Sequence, residues 1–266
     1  MFKYIGIRGH RGAGKNTIGY LIGNAIAYYE DTKSWDGFED YYKEAVDKVF
    51  ADDLKCPADN IYLESFFDTA NVMVSYMIGV PIEYLYEDWT KDSIIVDLKT
   101  FDIHICKDKL DLEMFKNNNC VYSAKDLEIV QRTYGFDTKE LEHIYCTLRE
   151  FVVYFSKYVM QKSFGLSVWV KSIKADTEFR CKASGHVEGY KIFTDCKFPS
   201  EIDYIISNNG IIVKVVRENN AKEDTIISKE LENDDRFDFE IDLDGDLMKP
   251  ELIEQIKCIT IKIVEQ

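Results

Sequence analysis

Residues 2–8 (FKYIGIR) make a short β-rich run that stops at Gly9, and residues 16–29 (NTIGYLIGNAIAYY) place Ile18, Leu21, Ile22, Ala25 and Ile26 at helical spacing. The pattern predicts strand, glycine loop, helix. A second strand is expected at 45–51, followed by an Asp/Lys-rich turn. The stretch from about 61 to 135 reads as helices with irregular joins, broken at Gly79-Val80-Pro81 and at Asn117-Asn118-Asn119. Residues 139–163 carry the clearest amphipathic helix, with Leu141, Ile144, Tyr145, Leu148, Phe151, Val152, Phe155 and Val159 on one face. Then come a strand at 187–194 ending at Asp195, a short helix through 201–207, a turn at Asn208-Asn209-Gly210, and a nearly continuous apolar run at 211–216. Such a run suits a strand buried on both sheet faces. Residues 218–236 are the most polar segment, a strand is expected at 237–243, and a last helix starts near Pro250, a residue that fits a first helical turn.

Strands alternating with helices predict an α/β fold with a mostly parallel sheet covered on both sides. With no Pro/Gly/Ser-rich linker and no fixed-period repeat, the expectation is one domain over 1–266 with a helical insertion at about 61–135. A chain that is 46% hydrophobic and 14% aromatic supplies a sizeable core. The net charge of -15 disfavours a nucleic-acid partner, whose backbone requires a broad Lys/Arg surface. It leaves room for a phosphate ligand held by a few local cations and N–H groups. Seven cysteines, an odd number without a C-x-x-C pair, read as reduced thiols of a cytoplasmic protein. The four histidines form no H-E-x-x-H motif and no His/Cys cluster, so a structural zinc site is set aside. Met1 leads straight into Phe2-Lys3-Tyr4-Ile5, and no run reaches the roughly 18 apolar residues of a bilayer span; a soluble, unprocessed chain with no membrane partner is expected.

The glycine loop is the strongest chemical signal in the chain. Gly9-His10-Arg11-Gly12-Ala13-Gly14-Lys15 satisfies G-x-x-x-x-G-K and sits between a strand and a helix, where its mechanism requires. Glycines let successive N–H groups curl inward toward phosphate oxygens, the helix N-terminus adds partial positive charge, and Lys15 reaches the β and γ phosphates. The plainer alternative is a tight turn with Lys15 exposed. Asn16 stands where Ser or Thr would ligate Mg²⁺, with Thr17 one step later. The Asn16 amide carbonyl is a hard but uncharged oxygen ligand, so Mg²⁺ is expected to rest mostly on waters, ATP phosphates and a carboxylate elsewhere; Asp195, at a predicted strand end, is the best such carboxylate, and its alternative is a helix N-cap.

Four further segments join the loop: FADDLK (50–55), TLREF with the later VWV (147–151 and 168–170), TDCKFPSEIDYI (194–205), and IIVKVVR (211–217). With GHRGAGKNTIG (9–19) they occur in the order seen in the tailed-phage deoxynucleoside monophosphate kinases, a branch of the P-loop NMP kinases, and the chain resembles that family. The resemblance implies the three-layer P-loop NTPase fold with a lid, and transfer of the ATP γ-phosphate to a dNMP with Mg²⁺. It implies that Gly9, Arg11, Gly12, Ala13, Gly14, Lys15, Asn16 and Thr17 bind ATP, with Arg11 and Lys15 over the transferring phosphate. Lys55, Arg149 and Lys197 would face the acceptor. The family usually has Asp at the position of Asn16 and Arg at that of Lys197. It also implies a mobile lid at 218–236, with Arg217, Lys222, Lys229 and Arg236 as candidates to close over the phosphates. A host-cytoplasm location follows if the source is viral, and a homodimer stays open. Trp169 suits base stacking or a core role about equally.

A monophosphate acceptor is largely dianionic at neutral pH, so no general base is required. That agrees with a sequence lacking a His/carboxylate constellation. The rivals are a kinase of an alcohol acceptor, such as dephospho-coenzyme A or a sugar, with Asp52 or Asp195 as base, and a non-catalytic nucleotide-binding module.

Overall fold

The computed structural model describes residues 2–10, 12–51, 53–135, 139–184, 188–217, 234–243 and 245–266. No helix among them is long and apolar enough to cross a membrane. The chain forms two compact units, Met1–Phe66 with Ile173–Gln266, and Phe67–Ser172.

The first unit opens with β1 (Phe2–Arg8), α1 (Lys15–Thr32), α2 (Phe38–Phe50) and β2 (Ile61–Glu64). The second unit holds α3 (Asp68–Ile78), α4 (Asp88–Ser93), β3 (Ile94–Asp97), β4 (Ile103–Ile105), α5 (Lys109–Asn118), α6 (Ala124–Thr133), β5 (Tyr145–Thr147) and α7 (Leu148–Tyr154). A π-helical stretch, Phe155–Gln161, carries α7 into α8 (Lys162–Phe164), and α9 (Val168–Ser184) leads back to the first unit. That unit closes with β6 (Gly189–Phe193), α10 (Pro199–Ser207), β7 (Ile211–Val216), β8 (Phe239–Asp242) and α11 (Pro250–Val264).

The first unit is an α/β structure around a five-stranded sheet of order β2-β6-β1-β7-β8, in which every pairing is parallel. One face carries Ile5, Ile7, Ile192, Ile211, Val213, Val215 and Ile241, packed with Leu21 and Ile22 of α1 and Ile256 and Ile259 of α11 in a single core. Each fully buried aliphatic side chain there contributes roughly 1.5–3 kcal/mol. On the opposite face α10 sets Tyr204 edge-on to Tyr4, and Phe193 stacks between Tyr4 and Phe66. A strand covered on both faces has no polar side, which is why β7 reads as an unbroken apolar run.

The second unit has its own sheet, antiparallel, of order β4-β3-β5. Its presence corrects the expectation of helices alone between 61 and 135, where β2, β3 and β4 all fall. The expected strand at 45–51 is instead the end of α2. Phe38, Tyr42, Ala45 and Val46 are buried at i, i+4, i+7 and i+8, so the apolar residues near 45 belong to one face of a helix that begins upstream. The helix expected from 139 starts only at Leu148. Residues 145–147 are taken by β3 as a strand partner, and the Thr147 hydroxyl then caps α7 by accepting the Glu150 N–H at 3.2 Å.

Candidate functional site

Parallel pairing puts the carboxyl ends of β2, β6, β1 and β7 on one edge of the first unit's sheet. Counting only this sheet's strands in chain order, the sequence of neighbours is 2-3-1-4-5, and the winding reverses on either side of β1. In open α/β sheets such a switch point opens a crevice for ligands. The loop that follows β1 is the glycine loop.

Its glycines are required by geometry. A Cβ on Gly9 would lie 2.4 Å from the Val215 carbonyl oxygen, because the loop backbone rests directly on β7. Gly14 is the N-cap of α1 in a left-handed conformation, φ 90°, and a Cβ there would meet Leu243 Cδ2 at 2.3 Å. A glycine N-cap brings no side-chain acceptor, and none caps α1. The helix dipole at this N-terminus favours an anion. Lys15 Nζ donates to the carbonyls of His10 at 2.8 Å and Gly9 at 3.1 Å, which folds the amine back over the loop. Arg217, just past β7, reaches the Gly12 carbonyl with Nη1 at 3.5 Å. Ala13 is buried, Thr17 half-buried and Asn16 exposed on the first turn of α1; Arg11 lies outside the described residues.

Asp195 stands two residues beyond β6 and joins the neighbouring strand end. Its carboxylate accepts the Ser65 hydroxyl and, at 3.0 Å, the Phe66 N–H, both just past β2. Lys197 Nζ sits 3.6 Å from the same carboxylate. Asp195 is not a helix cap, since α10 begins at Pro199 with Phe198 at the N-cap. The glycine loop, Lys15, Asp195, Lys197 and Arg217 thus share one edge of the first unit.

The other expected residues have partners of their own. Lys55 follows a helix rather than a strand, is largely exposed and pairs with Asp53 at 3.0 Å. Its strand-end argument is lost. Arg149 belongs to the second unit, where its guanidinium forks onto Asp92 of α4, Nε at 2.6 Å and Nη2 at 3.3 Å. Trp169 is 1% exposed and its ring packs on Phe67, 6.2 Å between centroids, so it takes the core role. Arg236 pairs with Asp234 and Asp203. Residues 218–233 of the expected lid, with Lys222 and Lys229, and also Asp52, lie outside the described residues.

Two further charged residues, outside the set expected from the sequence, stand at this edge. Arg8, buried at the end of β1, donates to the Asp234 carbonyl and lies 3.6 Å from the Asp234 carboxylate; burial lowers its pKa against the pull of that charge. Glu201 is fully buried on the first turn of α10. One carboxyl oxygen accepts the N–H groups of Lys197 at 2.7 Å and Phe198 at 3.0 Å, which fixes the backbone carrying Lys197. The other has no hydrogen-bond partner among the described residues. The signal was a Glu three residues past a helix N-cap, where it reaches back to free N–H groups.

Burial, with the Asp195 charge next, pushes the Glu201 carboxyl up to about 8, against the two N–H groups that favour its anion. The folded chain then keeps a proton that the unfolded chain releases above its ordinary pKa of about 4.3. The stability this confers is complete below that value and is lost as pH rises through 8. In denaturant titrations between pH 5 and 8.5, Glu201→Gln is expected to gain stability on the wild type by up to about 1.4 kcal/mol per pH unit in that window. Parallel curves for the two proteins would show that Glu201 is ionised throughout.

No protein-family model matches the chain, and a search of curated proteins finds no match either.

Proposed function

We propose that the protein is a P-loop nucleotide kinase that transfers the ATP γ-phosphate to a deoxynucleoside monophosphate, giving the diphosphate. One observation carries the reading: a G-x-x-x-x-G-K loop lies between the central parallel strand and a helix, its lysine folded over it and an anchored carboxylate on the next strand end. The donor set fits the ligands: the N-terminus of a helix and an amine suit phosphate, and a carboxylate suits a hard cation beside it. The order of segments that resembles the phage kinases suggests the acceptor class.

In this reading ATP brings the phosphoryl group and Mg²⁺ offsets its charge. The chain itself aligns and neutralises. The loop N–H groups and α1 hold the polyphosphate, and the Lys15 ammonium turns from its loop carbonyls to the transferring group. Arg217 stands on the same side through Gly12. Asp195, oriented by Ser65 and Phe66, would hold the metal, with the Asn16 amide as a second, uncharged ligand. Lys197, on backbone pinned by Glu201, meets the acceptor phosphate.

Incubation with ATP, Mg²⁺ and panels of dNMPs, NMPs and alcohol acceptors tests the reading. Diphosphate formation from a dNMP is expected. Phosphorylation of an alcohol alone would overturn the acceptor class, and ATP binding without transfer to any acceptor would overturn the enzyme. Lys197→Ala is expected to raise the dNMP KM about tenfold or more and to leave the ATP KM nearly unchanged, because a charge-assisted contact contributes about 1.5–3 kcal/mol. An effect confined to ATP would move Lys197 to the donor side.

A further inference from the structure

The second unit holds three metal-binding side chains in one place. His104 lies in the middle of β4 and Cys106 just beyond it, so that alternation puts both on the same face of the strand. The alternation holds through Cys106, whose N–H donates to the Ser93 carbonyl at 2.9 Å in continuation of the Ile94–Ile105 pairing. Asp111 comes from the first turn of α5. Its own N–H is held by the Asp108 carboxylate at 2.9 Å, and its carboxylate turns back to accept the Lys107 N–H at 3.0 Å, which aims it at the strand end. The His104 ring rests on Phe115, 4.9 Å between centroids, one turn further along the same face of α5. Cys106 is 2% exposed in a small apolar cluster with Ile95 and Leu112. The ligand atoms of His104, Cys106 and Asp111 all lie within 4.8 Å of one another.

We propose that His104, Cys106 and Asp111 form a binding site for a zinc-type divalent cation that ties β4 to α5. The ligand set selects the ion. Imidazole nitrogen, thiolate and carboxylate together suit Zn²⁺ or Co²⁺, whereas Mg²⁺ prefers oxygen ligands throughout. Metal–ligand bonds of about 2.0–2.3 Å put neighbouring ligands of a tetrahedral ion roughly 3.5 Å apart, so closing the site needs a movement of about 1 Å. His104 is exposed on the edge strand β4, and sliding of its ring over Phe115 would supply it. As the sulfur–metal bond forms, the Cys106 S–H bond breaks and its proton goes to solvent. Three protein ligands leave a fourth position for water, as in exchangeable rather than closed zinc sites. The site lies wholly within the second unit and is independent of the kinase reading.

Titration of the reduced full-length protein with Co²⁺ in chelator-free buffer tests it. One equivalent is expected to produce a thiolate-to-cobalt charge-transfer band with tetrahedral d–d bands, both bleached by Zn²⁺. Cys106→Ser should abolish the charge-transfer band, His104→Ala and Asp111→Asn should weaken Co²⁺ binding at least tenfold, and Cys120→Ser, at an exposed thiol, should leave the band intact. If Cys106→Ser does not fold, the exposed His104→Ala decides, with circular dichroism as the check on fold. A missing charge-transfer band, a band that survives Cys106→Ser, or wild-type affinity in His104→Ala overturns the proposal.

Discussion

Lys15→Ala is expected to lower kcat/KM for phosphoryl transfer by about a hundredfold to a thousandfold while leaving the melting temperature nearly unchanged. The two halves of that expectation have separate causes. Lys15 is half-exposed and its amine bonds to carbonyls of its own loop, which water can satisfy when the side chain is gone. In the proposed reaction the same amine meets charge that redistributes on the transferring phosphoryl group. Removing one preorganised donor of this kind costs about 2.7–4 kcal/mol in the transition state. Lys15→Arg is not expected to rescue, because the planar fork differs in shape from a point charge and the loop is closely packed on Val215 and Leu243. Steady-state kinetics with ATP varied at saturating acceptor give the measurement. A variant that keeps more than about a tenth of wild-type kcat/KM would remove Lys15 from the reaction and, with it, the main support for a kinase.

The largest effect on stability is expected in the middle of the sheet. Lys191 sits in β6 between β1 and β2, opposite Tyr4 on one side and Tyr62 on the other. Its side chain is 2% exposed, and its ammonium lies 2.8 and 3.0 Å from the two oxygens of Glu64, itself 9% exposed. The rings of Phe2 and Tyr62 lie 5.3 and 5.7 Å from the ammonium. Two charges taken out of water are costly, and their pairing roughly offsets that cost rather than adding to stability. Breaking the pair from one side is another matter. Lys191→Met leaves a buried carboxylate alone, at about 3–5 kcal/mol, whereas Lys191→Met combined with Glu64→Leu is expected to return to within about 1 kcal/mol of the wild type. Urea unfolding of the two single variants and the double variant measures the coupling. If Lys191→Met alone costs less than about 1 kcal/mol, water reaches Glu64 and the pair is not buried in solution.

The pattern of residues along the chain was enough to determine the parts whose structure is local. β1, the glycine loop, α1, β7, α10 and α11 are all close to where periodicity and capping put them, because a long amphipathic stripe or a doubly buried strand writes its own period into the sequence. The loop was legible for the same reason: backbone conformation demands glycine at fixed places, and the demand is visible without neighbours. The tertiary structure alone decided the rest. Residues 45–51 look like a strand until Phe38 and Tyr42 show the helical face they complete, and Tyr145–Thr147 become a strand only because β3 offers an open edge. Lys191 and Glu201 are ordinary charged residues in sequence; their weight comes from neighbours that exclude water, drawn from strands and helices far apart in the chain. The four histidines form no cluster with cysteine along the chain, yet the turn from β4 to α5 sets His104 and Cys106 beside Asp111. A metal site is a matter of angstroms in space, and a strand that alternates, followed by a helix that folds back, brings together what the order of residues keeps apart.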